Sequence, residues 1–241
     1  MFKRLLSYIM IVHHPAAARF HSTFDWLDSW HSFSFGAHYD PNRMGFRALR
    51  VINDDRIAGG GGFPTHGHRD MEILTWVLAG AVAHRDSTGG EGLITPGDLQ
   101  GMSAGRGIRH SEFNASPKDP LRLLQIWLEP ATRGLTPGYQ QTAFPVAERS
   151  GRLGLLASAD GRNGSLIIHA PAEVYSAVLA TGEQLRYAIP TGRHLWLQVA
   201  RGTLTANDLQ LQEGDALAMS EEAALAVQAT SAAEVLLFDL A

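Results

Sequence analysis

The sequence contains no cysteine. Disulfides, iron–sulfur ligation and thiolate catalysis are therefore excluded, and any metal must be held by nitrogen and oxygen. There is no basic surplus either. The 20 Lys and Arg stand against 24 Asp and Glu, giving a formal net charge of −4, and the cations are scattered rather than clustered. Such a chain neutralises phosphates poorly, so nucleic acid is not expected as a partner. Long apolar runs are also missing: no stretch approaches the roughly 20 residues needed to cross a bilayer, and no membrane association is expected. The N-terminal MFKRLLSYIMIVHHPAA has the basic start and apolar run of a signal peptide, but the run is short, and His13, His14 and Pro15 interrupt it. The more economical reading starts the protein at Met10, with residues 1–9 as a leader, MIVHH as a first strand and a cytoplasmic location.

What is present is enough apolar material for a core: 241 residues, 45% of them hydrophobic, suffice for one large β domain or two small ones. Turn signals recur at short intervals, at Asn53-Asp54-Asp55, Ala58 to Gly62, Ala79-Gly80, Thr88-Gly89-Gly90, Pro96-Gly97-Asp98 and Gly105 to Gly107. Between them lie segments rich in branched and aromatic residues, such as EILTWVL (Glu72 to Leu78) and LRLLQIWL (Leu121 to Leu128). This pattern predicts an all-β protein with little helix, at most a turn over Phe24 to Trp30 or Glu221 to Leu225.

The second half repeats the first in outline. LTWVLAGAVAH (Leu74 to His84) followed by PGDLQGMS (Pro96 to Ser103) resembles LQVARGTLTAN (Leu197 to Asn207) followed by EGDALAMS (Glu213 to Ser220). Each reads as strand, glycine turn, strand, then a Gly-Asp turn into a strand ending in Met-Ser. A duplicated β architecture explains the repeat. We divide the chain into domains at 10–135 and 136–241, with a linker near Pro130 to Pro145, where Pro, Gly and Thr concentrate and apolar periodicity lapses.

Two short patterns carry chemistry. Thr65 to Glu72 reads THGHRDME and Arg109 to Phe113 reads RHSEF. Residues two apart on a strand share a face, so H-x-H and H-x-E are each a two-pronged claw if extended. A lone strand histidine is usually an ordinary core or surface residue, but two same-face pairs, each preceded by glycines, point to His66, His68, His110 and Glu112 as ligands. Three neutral imidazoles and one carboxylate suit a divalent transition metal and leave one or two positions open.

The H-x-H and H-x-E pattern and the Pro-Gly-Asp turn resemble the cupin superfamily of small jelly-roll barrels. WLDSWHSFSFG (Trp26 to Gly36), YDPNRMGFRALRVINDD (Tyr39 to Asp55), THGHRDMEILTWVLAG, HRDSTG (His84 to Gly89), MSAGRGIRHSEFN (Met102 to Asn114) and EVLLFDL (Glu234 to Leu240) resemble, in order, the pirin family, and above all its bacterial quercetin 2,3-dioxygenase-like members. The resemblance runs from about Met10 to the C-terminus. It implies two tandem cupin domains, a bicupin, with a metal in the N-terminal barrel on His66, His68, His110 and Glu112 and none in the C-terminal one. Iron(II) is the expected ion, ahead of copper, manganese, nickel or zinc.

The same resemblance implies a dioxygenase acting on flavonols such as quercetin. The substrate 3-hydroxyl would bind the metal deprotonated, dioxygen would add across the central ring, and the ring would open with loss of carbon monoxide. Glu112 is the candidate base. The alternative implied by the resemblance is an iron-containing redox-sensing protein that regulates a transcription factor or metabolic enzyme, with a protein partner; a plain sugar- or metabolite-binding cupin is the weakest reading. An apolar cavity open to small molecules would favour the enzyme, an exposed patch beside the site the binding protein.

Other residues carry bland expectations. Glu72, four after the H-x-H, is a ligand in ordinary cupins; here it is expected to orient a metal-bound imidazole. Trp26, Trp30, His31, Phe33 and Phe35 could wall a flat ligand, but packing is expected. His84, Arg85, Asp86 and Ser87 do not form a hydrolase triad, since neighbours on a strand face opposite sides and no nucleophile-elbow pattern surrounds Ser87. Arg106 and Arg109 are read as loop cations, His169 and His194 as isolated.

Overall fold

The computed structural model describes residues 11–241; the expectation of a leader over residues 1–9 falls outside them. The first half lays down β1 (Ile11–His14), β2 (Phe20–Phe24), β3 (Leu27–His31), β4 (Leu49–Ile57), β5 (Gly62–His68) and β6 (Glu72–Ala79). It continues with β7 (Val82–Asp86), β8 (Glu91–Ile94), β9 (Asp98–Ser103), β10 (Ile108–Asn114), β11 (Leu121–Leu128) and β12 (Gly138–Ala143). One turn of helix, α1 (Val146–Arg149), leads to β13 (Gly154–Ser158), β14 (Leu166–Ile167), β15 (Ala172–Leu179), β16 (Gln184–Ala188) and β17 (His194–Arg201). The chain ends with β18 (Thr203–Ala206), β19 (Leu209–Gln212), β20 (Ala216–Ser220), β21 (Ala224–Ala229) and β22 (Ala233–Leu240). None of the described helices is long and apolar enough to cross a membrane.

Two seven-stranded sheets run β12-β9-β6-β11-β4-β3-β2 and β1-β20-β17-β22-β15-β13-β14, and two four-stranded sheets run β5-β10-β7-β8 and β16-β21-β18-β19. The orders correspond place by place: β9 with β20, β6 with β17, β11 with β22, β4 with β15 and β10 with β21. Each half is thus a large sheet facing a small one, the duplicated all-β architecture that the repeat predicts and the pair of tandem barrels that the cupin resemblance implies. The 135/136 division is our proposal for the join, and strands at both ends reach across the halves. β1 adds to the second barrel through Ile11 opposite Met219, while β12 pairs with β9 in the first.

Three local expectations are corrected. The stretch read as a linker contains β12, whose sequence GYQQTA lies half-buried along a sheet edge and so lacks the apolar alternation of an inner strand. No helix forms over Phe24 to Trp30, because β2 and β3 make a hairpin there with Phe24 opposite Leu27, and β3 pairs with β4. Glu221 to Leu225 likewise runs into β21, which pairs with β16 and β18. In each case sheet pairing overrides a weak local preference.

The inner strands are apolar on both faces because both faces are covered. On β6, Leu74, Trp76 and Leu78 point away from the first barrel into the main apolar cluster, where they meet Leu156, Trp196, Leu236 and Phe238 of the second. Ile73, Thr75 and Val77 point the other way, into the barrel. Here the halves differ. The second barrel is filled by one cluster containing Leu197, Leu217 and Leu237, which sit side by side in register across β17, β20 and β22. The corresponding row of the first barrel is His31, Asn53, Gln125, Thr75 and Gln100, aligned across β3, β4, β11, β6 and β9. This polar belt divides the first interior into two small apolar clusters.

Charged groups rim the apolar contact between the barrels. Arg122 donates from Nε and Nη2 to the two oxygens of Asp54 at 2.9 Å each and pairs with Glu213 of the second half at 2.8 Å. The Asp54 side chain is only 3% exposed. Removing one member of such a pair strands a buried charge, whereas the Arg85–Glu91 pair is solvated, at 73% and 63% exposed. Asp54→Ala is therefore expected to lower unfolding stability by about 3–5 kcal/mol, and Arg85→Ala by less than about 1 kcal/mol, measured by urea denaturation at neutral pH.

Candidate metal centre

The histidine claw stands on β5 and the second claw on the adjacent β10. His110 lies opposite His66, and Glu112 opposite Phe63, so β5 carries one extra residue between them. This bulge contains Pro64, which has no amide hydrogen to give the ladder, and it re-aims the strand beside the site. Gly62 lets the strands close: a Cβ there would lie 2.5 Å from the Glu112 carbonyl oxygen. β10 is entered through Gly105 at φ +46°, where a side chain would collide with the carbonyl of Leu135. On β10, His110 and Glu112 are buried while Arg109 and Phe113 face out, as the alternation predicts.

Three of the four expected ligands meet at one point. His66 Nε2 and His68 Nε2 each lie 3.0 Å from His110 Nε2. The His66 Nδ1 sits 2.8 Å from the Pro64 carbonyl oxygen; donating its proton there leaves the Nε2 lone pair turned toward the other two rings. A neutral imidazole has one N–H, so three converging Nε2 atoms cannot satisfy one another, but a cation satisfies them all. Burial, then the neighbouring His66, pulls the His68 pKa down to about 4, and burial with three neighbouring imidazoles pulls His110 to about 2. Both rings are therefore unprotonated at neutral pH, the form that binds metal.

Glu112 stands slightly apart. It groups with His110 and His84 rather than with His66 and His68. Its Oε1 accepts from Thr75 Oγ1 at 3.1 Å and its Oε2 from Gln125 Nε2 at 2.7 Å, so the polar belt fixes the carboxylate. Burial raises its pKa to about 7 although both donors favour the ionised form. A carboxyl titrating near neutrality beside three convergent imidazoles is suited to taking up and returning a proton.

A cavity of about 290 Å³ opens onto His66, His68 and Glu112, walled by Phe24, Leu27, Phe35, Phe63 and Trp127, with Ser29, His31, Asn53, Asp55 and Gln125 among its polar lining. Trp127 packs edge-on against His68 at 4.9 Å and against Phe35 at 5.4 Å. Of the aromatic segment, Phe33 enters the core between the barrels and Trp26 packs on Phe63; His31 and Phe35 line the cavity, which the packing expectation missed.

Other expectations resolve differently. Glu72 does not orient a metal-facing imidazole. Its Oε2 accepts from Ser103 Oγ at 2.7 Å and lies 3.5 Å from Nδ1 of His169, contributed by the second half. The even spacing from His68 misleads because the chain turns between β5 and β6, with Asp70 at φ +50°, and face parity is lost. Ser87 exchanges hydrogen bonds with the Arg109 backbone, a role for the strand rather than for a nucleophile. His84 nevertheless belongs to the site: its side chain is buried, its Nε2 lies 3.3 Å from Asp86 Oδ2, and its ring lies 5.2 Å from that of His110. Its spacing to Asp86, two along a strand, was the available signal.

Comparison with known proteins places this geometry in a lineage. Residues 14–128 match the Pirin family pattern and residues 155–240 the pattern described as the quercetinase C-terminal cupin domain. An Escherichia coli K12 protein named quercetin 2,3-dioxygenase is 48% identical over 231 residues, covering 96% of this chain and 99% of its own. A pirin-like protein of Caulobacter vibrioides is 42% identical over 217 residues, 90% of this chain and 93% of its own. Among solved structures, the bacterial pirin YhhW of Escherichia coli in complex with nickel(II) superposes with a TM-score of 0.91 at 48% identity, covering 96% of this chain and 99% of that one.

Metal binding to the folded chain alone stabilises it by mass action, by about 2.7 kcal/mol at a hundredfold excess over Kd. For a chain of this length that raises Tm by roughly 5–10 °C. Adding iron(II) or nickel(II) to chelator-stripped protein is expected to give this shift in a calorimetric melt, and His110→Ala to abolish it.

Proposed function

The chain belongs to the pirin family, and on that premise we propose that it is a metal-dependent dioxygenase that opens the central ring of flavonols such as quercetin. The observation that carries the proposal is the apolar cavity ending on His66, His68 and the buried Glu112 carboxylate, with His110 converging on the two imidazoles. His66, His68 and His110 hold the ion, with Glu112 as the fourth ligand; iron(II) is the proposed occupant. When bound, the ion supplies a Lewis acid for a substrate oxygen and a redox partner for dioxygen.

The chain's own residues do the rest. Phe35, Phe63 and Trp127 receive a flat ring and exclude bulk water, which strengthens every polar contact inside. Glu112 takes the proton of the substrate's 3-hydroxyl: desolvation holds its pKa near that of a useful base, and Thr75 and Gln125 keep its oxygens in place as it does so. Dioxygen is the co-substrate, and a cytoplasmic location is part of the same proposal. The apolar cavity, open to small molecules, favours this reading over that of a redox-sensing binding protein, which would need no such room.

Protein loaded with iron(II) under anaerobic conditions and then given quercetin and dioxygen is expected to consume the flavonol with release of carbon monoxide; loaded protein that leaves quercetin untouched would remove the reading. Glu112→Gln is expected to retain part of its metal while losing about 10²- to 10⁴-fold in turnover, and full activity in that variant would remove the base assignment.

A further inference from the structure

Asp54 and Asp55 are neighbours on β4 and face opposite sides. Asp54 is paired with Arg122 and Arg19. Asp55 faces the first barrel's cavity and is 2% exposed, yet no cation meets it among the described residues. One oxygen, Oδ1, accepts from Ser29 Oγ. No described group donates to the other, Oδ2. An ionised carboxylate offers about four acceptor positions, and Oδ2 borders the cavity, where a guest can reach it. Burial, then the nearby Asp54, Glu112 and Asp28, raise the pKa to about 7 against the bond from Ser29, so a further donor that favours the ionised form is the partner this carboxyl lacks. Packing alone gives no reason for an acid here, since Leu123 fills the next place in the row.

We propose that Asp55 accepts a hydrogen bond from a substrate hydroxyl far from the metal end, so that the site selects polyhydroxylated aromatic compounds over their unsubstituted counterparts. The proposal rests on the dioxygenase reading and deepens it. Asp55 lies one strand over from Gln125 and two residues further along, because Asn53 is the register partner of Gln125. At about 3.3 Å per residue and 4.8 Å between strands, that is roughly 8 Å from the residue that holds Glu112, close to the span of two fused six-membered rings. Phe24, Phe35 and Phe63 line the same cavity, so a flat molecule with one oxygen beside Glu112 can present a second O–H to Oδ2.

The test is a fluorescence titration of anaerobic, metal-loaded protein with two probes: quercetin, and 3-hydroxyflavone, which keeps the 3-hydroxyl but lacks the others. Asp55→Asn preserves shape and removes the charge. It is expected to weaken quercetin binding about 10-fold, the difference between a charged and a neutral hydrogen bond, to leave 3-hydroxyflavone within about 2-fold, and to leave metal content unchanged. A structural role would weaken both ligands alike, so an equal loss, or no loss for quercetin, overturns the assignment while the dioxygenase reading stands. Wild-type protein that binds neither flavonol overturns that reading and this proposal with it.

Discussion

The hydrogen bonds from Thr75 and Gln125 to the buried Glu112 carboxylate are the constraint on which the rest of the first barrel depends. A carboxylate inside a β-barrel is tolerable only with donors built around it. The donors come from β6 and β11, in a row that continues through Asn53 to His31. That row occupies places which apolar side chains fill in the second barrel, where leucines from β17, β20 and β22 stand in register and close the interior. One duplicated architecture thus yields a packed half and a hollow half. The difference lies in the chemistry of one row of residues.

A hollow barrel is less stable than a filled one, and the packing between the halves offsets this. The largest apolar cluster lies between the two seven-stranded sheets rather than inside either barrel. Both outer edges are also joined across the halves, by β1 on the second barrel and β12 on the first. The second barrel, whose Arg193 binds Asp239 and whose His194 meets Ser220, serves as a wall. It lets the first keep polar groups and empty space where a lone barrel would need a core.

The cavity has two chemically distinct ends. At one, half-buried and buried imidazoles are held unprotonated by desolvation, with Glu112 beside them. Further along, Ser29 donates to Asp55, while His31 and Asn53, in the row that carries Gln125, meet each other at 2.8 Å. Aromatic side chains line the walls. On the proposed reading, such a shape orients a flat molecule by its oxygens at both places.

Legibility followed the range of the interaction concerned. Alternation along a single strand is a property of adjacent residues, so the shared faces of His66 with His68 and of His110 with Glu112 could be read directly, as could the strand-rich composition and the internal repeat. Register between strands depends on residues far apart in the chain. The belt from His31 to Gln100, the convergence of β5 with β10 across a bulge, and the place of Asp55 in the cavity were set by pairing with partners tens of residues away. Glu72 shows where the local rule ends: one left-handed residue at Asp70 turned the chain, and its carboxylate went to Ser103 and His169 instead.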